Sequence, residues 1–351
     1  MKAYTLLLAY LALMNLLAVC LTIRDKSAAR KKAWRIKERT LLAVSFFGGS
    51  MAMLLTMLAI RHKTRRLKFM IGIPLILLLQ VGIGVLALDH SLMVSHISVE
   101  TDKINGLIKL ALVTDLHSCS YGREQRELLD AIDAERPDAI LLCGDIFDDD
   151  MPPDNAIEFI EQVSSRYPCY YVTGNHEFWS GMADGYKDKL LSYGVWVLQG
   201  NSQAVDVRGE TIIICGIDDP DTDRYASRAM PYAEQIKQLG ASFDNEAFTI
   251  LMSHRPERVN GLLPLGADLI VSGHAHGGQW RVPFILENGL LSPNQGLFPK
   301  YTNGEYFFGD TELIVSRGLA RESTALPRVF NRPEIVIISL HDDQGGGNKI
   351  Q

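Results

Sequence analysis

Five short blocks in this sequence carry residues that can do chemistry: Asp115-Leu116-His117, Gly144-Asp145, Gly174-Asn175-His176-Glu177, Ser253-His254 and Gly273-His274-Ala275-His276. Carboxylate oxygens, an amide oxygen and imidazole nitrogens recur, and no block offers a thiolate. Such mixed nitrogen and oxygen donors suit Mn or Fe, with Zn as an alternative. An amide oxygen, as in Asn175, ligates a cation without adding charge. A neighbouring imidazole, as in His176, can hand a proton to a leaving group. Five of the nine histidines fall in these blocks.

Each block follows an apolar run. Leu107–Val113, Ala139–Cys143, Cys169–Val172, Phe248–Met252 and Leu269–Ser272 all read as buried strands. Helical periodicity between them predicts helices over Glu124–Glu135, with Leu128, Leu129 and Ile132 on one face, and from an N-cap at Asp154, burying Ile157, Ile160 and Val163. Short strands follow at Val195–Leu198, Ala204–Val207 and Thr211–Cys215, the last two joined by a turn at Arg208-Gly209. Further strands are expected at Leu313–Val315 and Ile335–Leu340. Strands alternating with helices imply a layered α/β domain with mostly parallel pairing. In such sheets ligands gather beyond the carboxyl ends of strands, where these blocks lie.

The chain has 351 residues and a formal net charge of -6, but the charge is unevenly placed. Residues 1–90 hold 14 Lys+Arg against 3 Asp+Glu, and residues 91–351 hold 21 against 38. An acidic domain of this kind is not expected to bind nucleic acid through its backbone charge. The basic part contains three uncharged apolar stretches, about 4–23, 40–60 and 69–88, each long enough to span a bilayer. They are expected to form a multi-pass anchor in the cell membrane, followed by a linker over 91–106, the domain over 107–340 and a disordered tail over 341–351. Eight basic residues lie between Arg24 and Arg39, and five between Arg61 and Lys68. Three spans would put these loops on opposite sides, and the heavier loop would then favour the cytoplasm, leaving the domain cytoplasmic as well. If the domain lies outside instead, either the first loop is external despite its charge or one of the three stretches does not cross. The five cysteines show no C-x-x-C pattern, which argues against a disulfide framework and for reduced thiols.

The five blocks, in order and with 30 residues from Asp115 to Asp145 and 30 more to Asn175, resemble the calcineurin-like metallophosphoesterase family and its membrane-associated bacterial branch. The resemblance covers roughly residues 107–340 and implies a sandwich of two mixed β-sheets flanked by helices, with two divalent metal ions at the sheet edge. It implies that Asp115, His117 and His276 hold one ion, that Asn175, His254 and His274 hold the other, and that Asp145 bridges them. Two divalent ions against two carboxylates leave the site positive, attractive to a phosphate anion. His176 would then protonate the departing oxygen. The implied function is a membrane-anchored phosphohydrolase that cleaves a phosphoester or pyrophosphate bond. Its substrate would be a phosphate-containing small molecule or, given the tether and the surrounding membrane lipids, a lipid-linked one. A nuclease on the same fold and a non-catalytic membrane sensor are the alternatives. Around the blocks, Asp148-Asp149-Asp150 is expected to be a solvated loop, with Asp148 a candidate to orient a ligand. Glu177 is expected to act as a helix N-terminal carboxylate. Gln279-Trp280, Phe284 and Leu297-Phe298 either pack under a long loop or admit a lipid chain.

Overall fold

The computed structural model describes residues 3–225, 228, 230–240, 246–321 and 327–342. The expected disordered tail lies outside the described residues, apart from His341 and Asp342. Two compact units are present. One is Met1–Asp89, and the other runs from His90 onward.

Among the described residues, the second unit is built on fourteen strands. In chain order they are β1 (Met93–Glu100), β2 (Leu107–Val113), β3 (Ala139–Cys143), β4 (Cys169–Val172), β5 (Trp196–Val197), β6 (Asn201–Val207) and β7 (Glu210–Gly216). There follow β8 (Phe248–Met252), β9 (Leu269–Ser272), β10 (Leu291–Ser292), β11 (Gly296–Leu297), β12 (Gly304–Phe308), β13 (Thr311–Val315) and β14 (Glu334–His341). Twelve of them form two six-stranded sheets, ordered β1-β14-β2-β3-β4-β5 and β12-β13-β9-β8-β7-β6. Both sheets are mixed. The runs β2-β3-β4-β5 and β7-β8-β9-β13 are parallel inside them, and β14 is antiparallel to β2.

Period-two alternation sorts the side chains into three apolar layers. Leu110, Leu112, Leu141, Cys143, Tyr170 and Val172 of the first sheet meet Ile212, Ile214, Ile250, Met252 and Val271 of the second. Ala111, Val113, Ile140 and Leu142 face the other way, against Leu128, Leu129, Ile132, Phe159, Ile160 and Val163 of two crossover helices. Leu251, Ile270, Leu313 and Val315 pack on Leu239, Val259 and Leu262. Burial on both faces explains why these strands read as near-continuous apolar runs. The carboxyl ends of β2, β3, β4, β8 and β9 deliver the five chemical blocks.

Several sequence expectations need correction. The segment 91–106 is not a plain linker, because Met93–Glu100 is a strand paired in parallel with Glu334–His341. Its alternating polar and apolar residues suit an edge position, half wet and half covered. The first crossover helix begins at Arg126, since Glu124 and Gln125 take positive φ. The helix Asp154–Ser164 starts where expected, but Asp154 is inside it and no side chain caps its N-terminus. The β6–β7 hairpin does turn at Arg208 and Gly209, both with positive φ.

In the first unit, three helical segments are long and apolar enough to cross a membrane by length and composition: Leu8–Arg30, Glu38–Ala59 and Leu67–Ala87. The second is not straight. It comprises helices Glu38–Val44 and Ser50–Ala59, separated by a turn with non-helical Phe47 and Gly48. The two basic loops therefore meet at one end of the unit, where Lys63 Nζ lies 3.8 Å and Arg66 3.1 Å from the Glu38 carboxylate.

The β1 pairing gives a direct stability test. A fragment starting at His90 keeps this strand, whereas one starting at Gly106 leaves β14 as a bare edge. We expect the longer fragment to show the higher melting temperature by circular dichroism and to stay soluble at higher concentration. Equal melting temperatures would show that β1 adds nothing.

Candidate active site

All seven expected metal-ligating residues are buried and converge at the ends of five strands. Asp115, His117 and His276 each offer a ligand atom within 4.8 Å of the others, and so do Asp145, His254 and His274. Asp145 lies between the groups. Its Oδ2 is 2.9 Å from Nε2 of His254 and 3.7 Å from Nε2 of His117. Asp115 Oδ1 is 3.9 Å from Nε2 of both His254 and His276. A third group, His117, Asp148 and His176, adjoins the first.

The backbone at this site is held in unusual conformations. Asp115, His117, Asp145, His274 and His276 all have φ between 46° and 64°. Non-glycine residues in the left-handed region cost on the order of 1–3 kcal/mol each and persist only where surroundings impose them. Here hydrogen bonds impose them. Glu177 accepts from the backbone N–H groups of Asp145, Ile146 and Phe147 at 3.1, 2.8 and 3.0 Å, and from Gly174 at 2.8 Å. One carboxylate thus ties the turn after β3 to the turn after β4. Gly174 is needed for close approach, since a Cβ there would meet the Asp145 carboxylate. Asp145 Oδ1 accepts from the His176 N–H at 2.9 Å, and Asp115 Oδ1 accepts from the His274 N–H at 2.9 Å.

The imidazoles are oriented by partners on their far sides. His254 donates through Nδ1 to the Cys143 carbonyl at 2.9 Å, which turns Nε2 inward to within 2.9 Å of Asp145 Oδ2. His117 donates through Nδ1 to Asp148 at 2.9 Å. Burial opposes ionisation of Asp148, but His117 and the N–H groups of Asp150 and Met151 hold its carboxyl below the usual carboxylate range. Burial likewise opposes ionisation of Asp145, yet His254 and His176 hold its carboxyl well below that range. Burial keeps His274 and His276 well below the usual histidine range, in the neutral form that offers a lone pair. His254 resists the same burial because Asp145 and Asp115 face it, and it is pushed up to about 10.

The fit of the donor set to a metal shows in buried polar atoms that have no use within the protein. Among the described residues, His117 Nε2, Asn175 Oδ1 and His276 Nδ1 are buried without a hydrogen-bond partner. Buried polar groups are seldom left so. Three of them on three separate loops, beside two carboxylates, fit cation coordination.

His176 differs from the other histidines. Its side chain is 22% exposed, and Nδ1 lies 2.5 Å from Asp149 Oδ1. Its ring packs edge-on to His117 at 4.3 Å and against Trp179 at 4.8 Å. Asp149, expected in a solvated loop, thus touches the site, and so does Asn294, to which the sequence assigns no role. Asn294 places its side-chain amide 3.0 Å from Nε2 of His274 and so orients that ring. Only the position of Asn294 in the run after the last histidine block hinted at this. Other acidic residues are structural. Asp219 makes a buried bidentate pair with Arg255 at 2.6 and 2.7 Å, and Asp218 pairs with Lys187. Arg317 pairs with Glu334 at 3.6 Å.

A two-sheet α/β sandwich presenting these histidines and carboxylates at its strand ends defines a metal-dependent phosphoesterase. Residues 108–278 match the family model for calcineurin-like phosphoesterases. Residues 15–69 match a second model, described as a protein of unknown function (DUF1294). Among curated proteins, the chain is 27% identical over 265 residues to an uncharacterized metallophosphoesterase of Aquifex aeolicus, covering 74% of this chain and 94% of that protein. It is 27% identical over 247 residues to the uncharacterized metallophosphoesterase YkuE of Bacillus subtilis, covering 66% of this chain and 78% of that one. A transmembrane protein with metallophosphoesterase domain from Danio rerio is 29% identical over 203 residues, covering 55% of this chain and 45% of its own length.

The His117–Asp148 contact yields a prediction. Asp148→Asn should keep the fold but lower affinity for added divalent metal about 10- to 100-fold, as loss of a partner behind a ligand does elsewhere. Calorimetric titration of metal-stripped protein measures it, and unchanged affinity would remove Asp148 from the site.

Proposed function

We propose that this chain is a dinuclear phosphohydrolase in which Asp115, His117 and His276 hold one divalent ion, Asn175, His254 and His274 hold a second, and Asp145 bridges them. The observation that carries this reading is the convergence of these buried residues at one place, with His117 Nε2 and Asn175 Oδ1 left without a partner inside the protein. The absence of thiolate among the donors favours Mn or Fe, with Zn as the alternative. Two ions so held would supply Lewis acidity to a phosphoryl oxygen and lower the pKa of an attacking water. The chain's own residues do the rest. Asp145 and Asp115 hold the histidine rings in register, and the buried walls exclude bulk water. His176 stands partly exposed at the edge, fixed through Nδ1 by Asp149. Its Nε2 is then the atom that passes a proton to the departing oxygen.

We further propose an amphiphilic phosphate substrate, such as a lipid-linked phosphoester or pyrophosphate. The loop that brings Asn294 to His274 also carries Leu297 and Phe298, 67% and 69% exposed, and is preceded by Phe284 and Ile285, 94% and 81% exposed. Exposed apolar side chains clustered beside a polar site mark a place for an apolar partner. They do not pack under the loop. The membrane-spanning character of the first unit supplies lipid as that partner.

Two outcomes follow. His176→Ala should retain two ions per chain by elemental analysis yet lose about 10²- to 10⁴-fold in kcat, most for alkyl esters with poor leaving groups. Unchanged turnover of an alkyl phosphoester would end its role as the acid. Phe284→Ser with Phe298→Ser should lower kcat/KM for a long-chain lipid phosphate while leaving a soluble aryl phosphate unaffected. An equal fall on both substrates, or on neither, would contradict the lipid assignment.

A further inference from the structure

The apolar segment 38–59 has the length of a membrane span but the fold of a hairpin. Its first arm, Glu38–Val44, runs from the basic end of the unit toward Phe47 and Gly48. There Tyr10 donates its hydroxyl to the Phe47 carbonyl at 2.8 Å, and Asn15 donates to the Gly48 carbonyl at 3.2 Å. Gly48 has φ 110°, which lets the chain reverse. The second arm, Ser50–Ala59, then returns to the end it left. Lys26 reaches the Arg61 carbonyl at 3.1 Å. Asp25 accepts from the Ile36 N–H at 3.0 Å while also holding His62 at 2.7 Å, Lys63 at 3.0 Å and Arg35 at 3.5 Å. Residues before the first arm and after the second therefore share one carboxylate. A straight helix of this length would separate its ends by about 33 Å. The arms, of seven and ten residues, instead reach about 10 and 15 Å, roughly a third to a half of a hydrocarbon core.

The turn is equipped to lie in hydrocarbon. The carbonyls of residues 45–48 lie at the reversal, and in a bilayer such groups must find partners inside the protein. Each has one. Besides Tyr10 and Asn15, Gln80 donates to the carbonyls of Ser45 and Phe46 at 2.9 and 2.7 Å, and Ser50 bonds the Gln80 carbonyl oxygen at 2.5 Å. This also accounts for the lone Gln80 in an otherwise apolar helix. That helix, Gly72–Ala87, starts beside the basic end, where Lys68 pairs with Glu38. It passes the hairpin tip at Gln80 and continues for seven more residues.

We infer that residues 38–59 form a re-entrant hairpin, that only the first and third apolar segments cross the membrane, and that the phosphoesterase domain therefore lies on the extracytoplasmic side. With one segment not crossing, the eight basic residues of the first loop and the five of the second face the same leaflet. Thirteen positive charges on one face place that face in the cytoplasm. The chain leaves the unit at the opposite end, after Ala87. The cytoplasmic placement drawn from the sequence rested on three crossings and reverses when one is removed. Resting on the phosphohydrolase reading, the substrates would be phosphoesters or pyrophosphates presented at the outer face.

Sidedness is tested on the full chain, independently of catalysis. Cysteines are placed at Ala33 in the first loop, Thr64 in the second and Ser192 on the domain surface, one per protein, with the parent chain as the background control. A membrane-impermeant maleimide should label Ser192→Cys in intact cells and label Ala33→Cys and Thr64→Cys only after permeabilisation. Labelling of positions 33 and 64 from opposite sides would overturn the hairpin. Labelling of both in intact cells, with position 192 protected, would overturn the sidedness. Alkaline phosphatase fused at Gln351 provides a readout that needs no engineered cysteine: it should be active, and an inactive fusion alongside a fluorescent cytosolic reporter at the same position would contradict the inference.

Discussion

The Glu177 carboxylate is the interaction on which the site depends. Fully buried, it accepts four backbone hydrogen bonds from two loops that leave adjacent parallel strands. Burial and the nearby Asp145 carboxylate push its pKa up to about 7, so its charge is itself costly to hold there. The four N–H groups and the positive histidine nearby offset that cost. In return Asp145 is fixed in a left-handed conformation that aims its oxygens between His117 and His254. Removing the carboxylate would leave four buried donors short of a partner, each worth about 1–3 kcal/mol. The rest of the constellation is arranged around that fixed point. The strand ends bring the blocks together, and hydrogen bonds behind the rings decide which nitrogen faces inward.

Much of this was legible in the chain, for a physical reason. Parallel strands buried on both faces must be apolar throughout, so a polar residue at the end of such a run stands out. Asp115, Asp145, Asn175, His254 and His274 were visible in that way, and so were the layers of Leu, Ile and Val that carry them. What was not legible depends on backbone direction and on loops folding back. Nothing in an Asp-Asp-Asp run distinguishes Asp148, which holds His117, from Asp149, which holds His176. Asn294 reaches His274 across twenty residues of irregular chain. Strand β1 alternates too weakly to outweigh its place beside a hydrophobic segment.

The first unit shows the same limit in sharper form. Hydropathy measures how many apolar residues follow one another and is blind to whether the chain reverses among them. The Gly48-Gly49 pair and the distant Asn15 and Gln80 were all present in the sequence, yet their meeting at one turn is a tertiary fact. Charge counting along the chain then gives opposite answers for two and three crossings. The reading of sidedness therefore turns on four carbonyl groups and the side chains that satisfy them.

We propose that seven residues assemble a two-ion centre at the junction of the two sheets. Anomalous scattering from crystals grown with manganese, recorded at an energy where that metal scatters strongly, tests it most directly. Two peaks should flank the Asp145 carboxylate, one against Asp115, His117 and His276 and the other against Asn175, His254 and His274. A single peak, or density held instead by His117, Asp148 and His176, would contradict it.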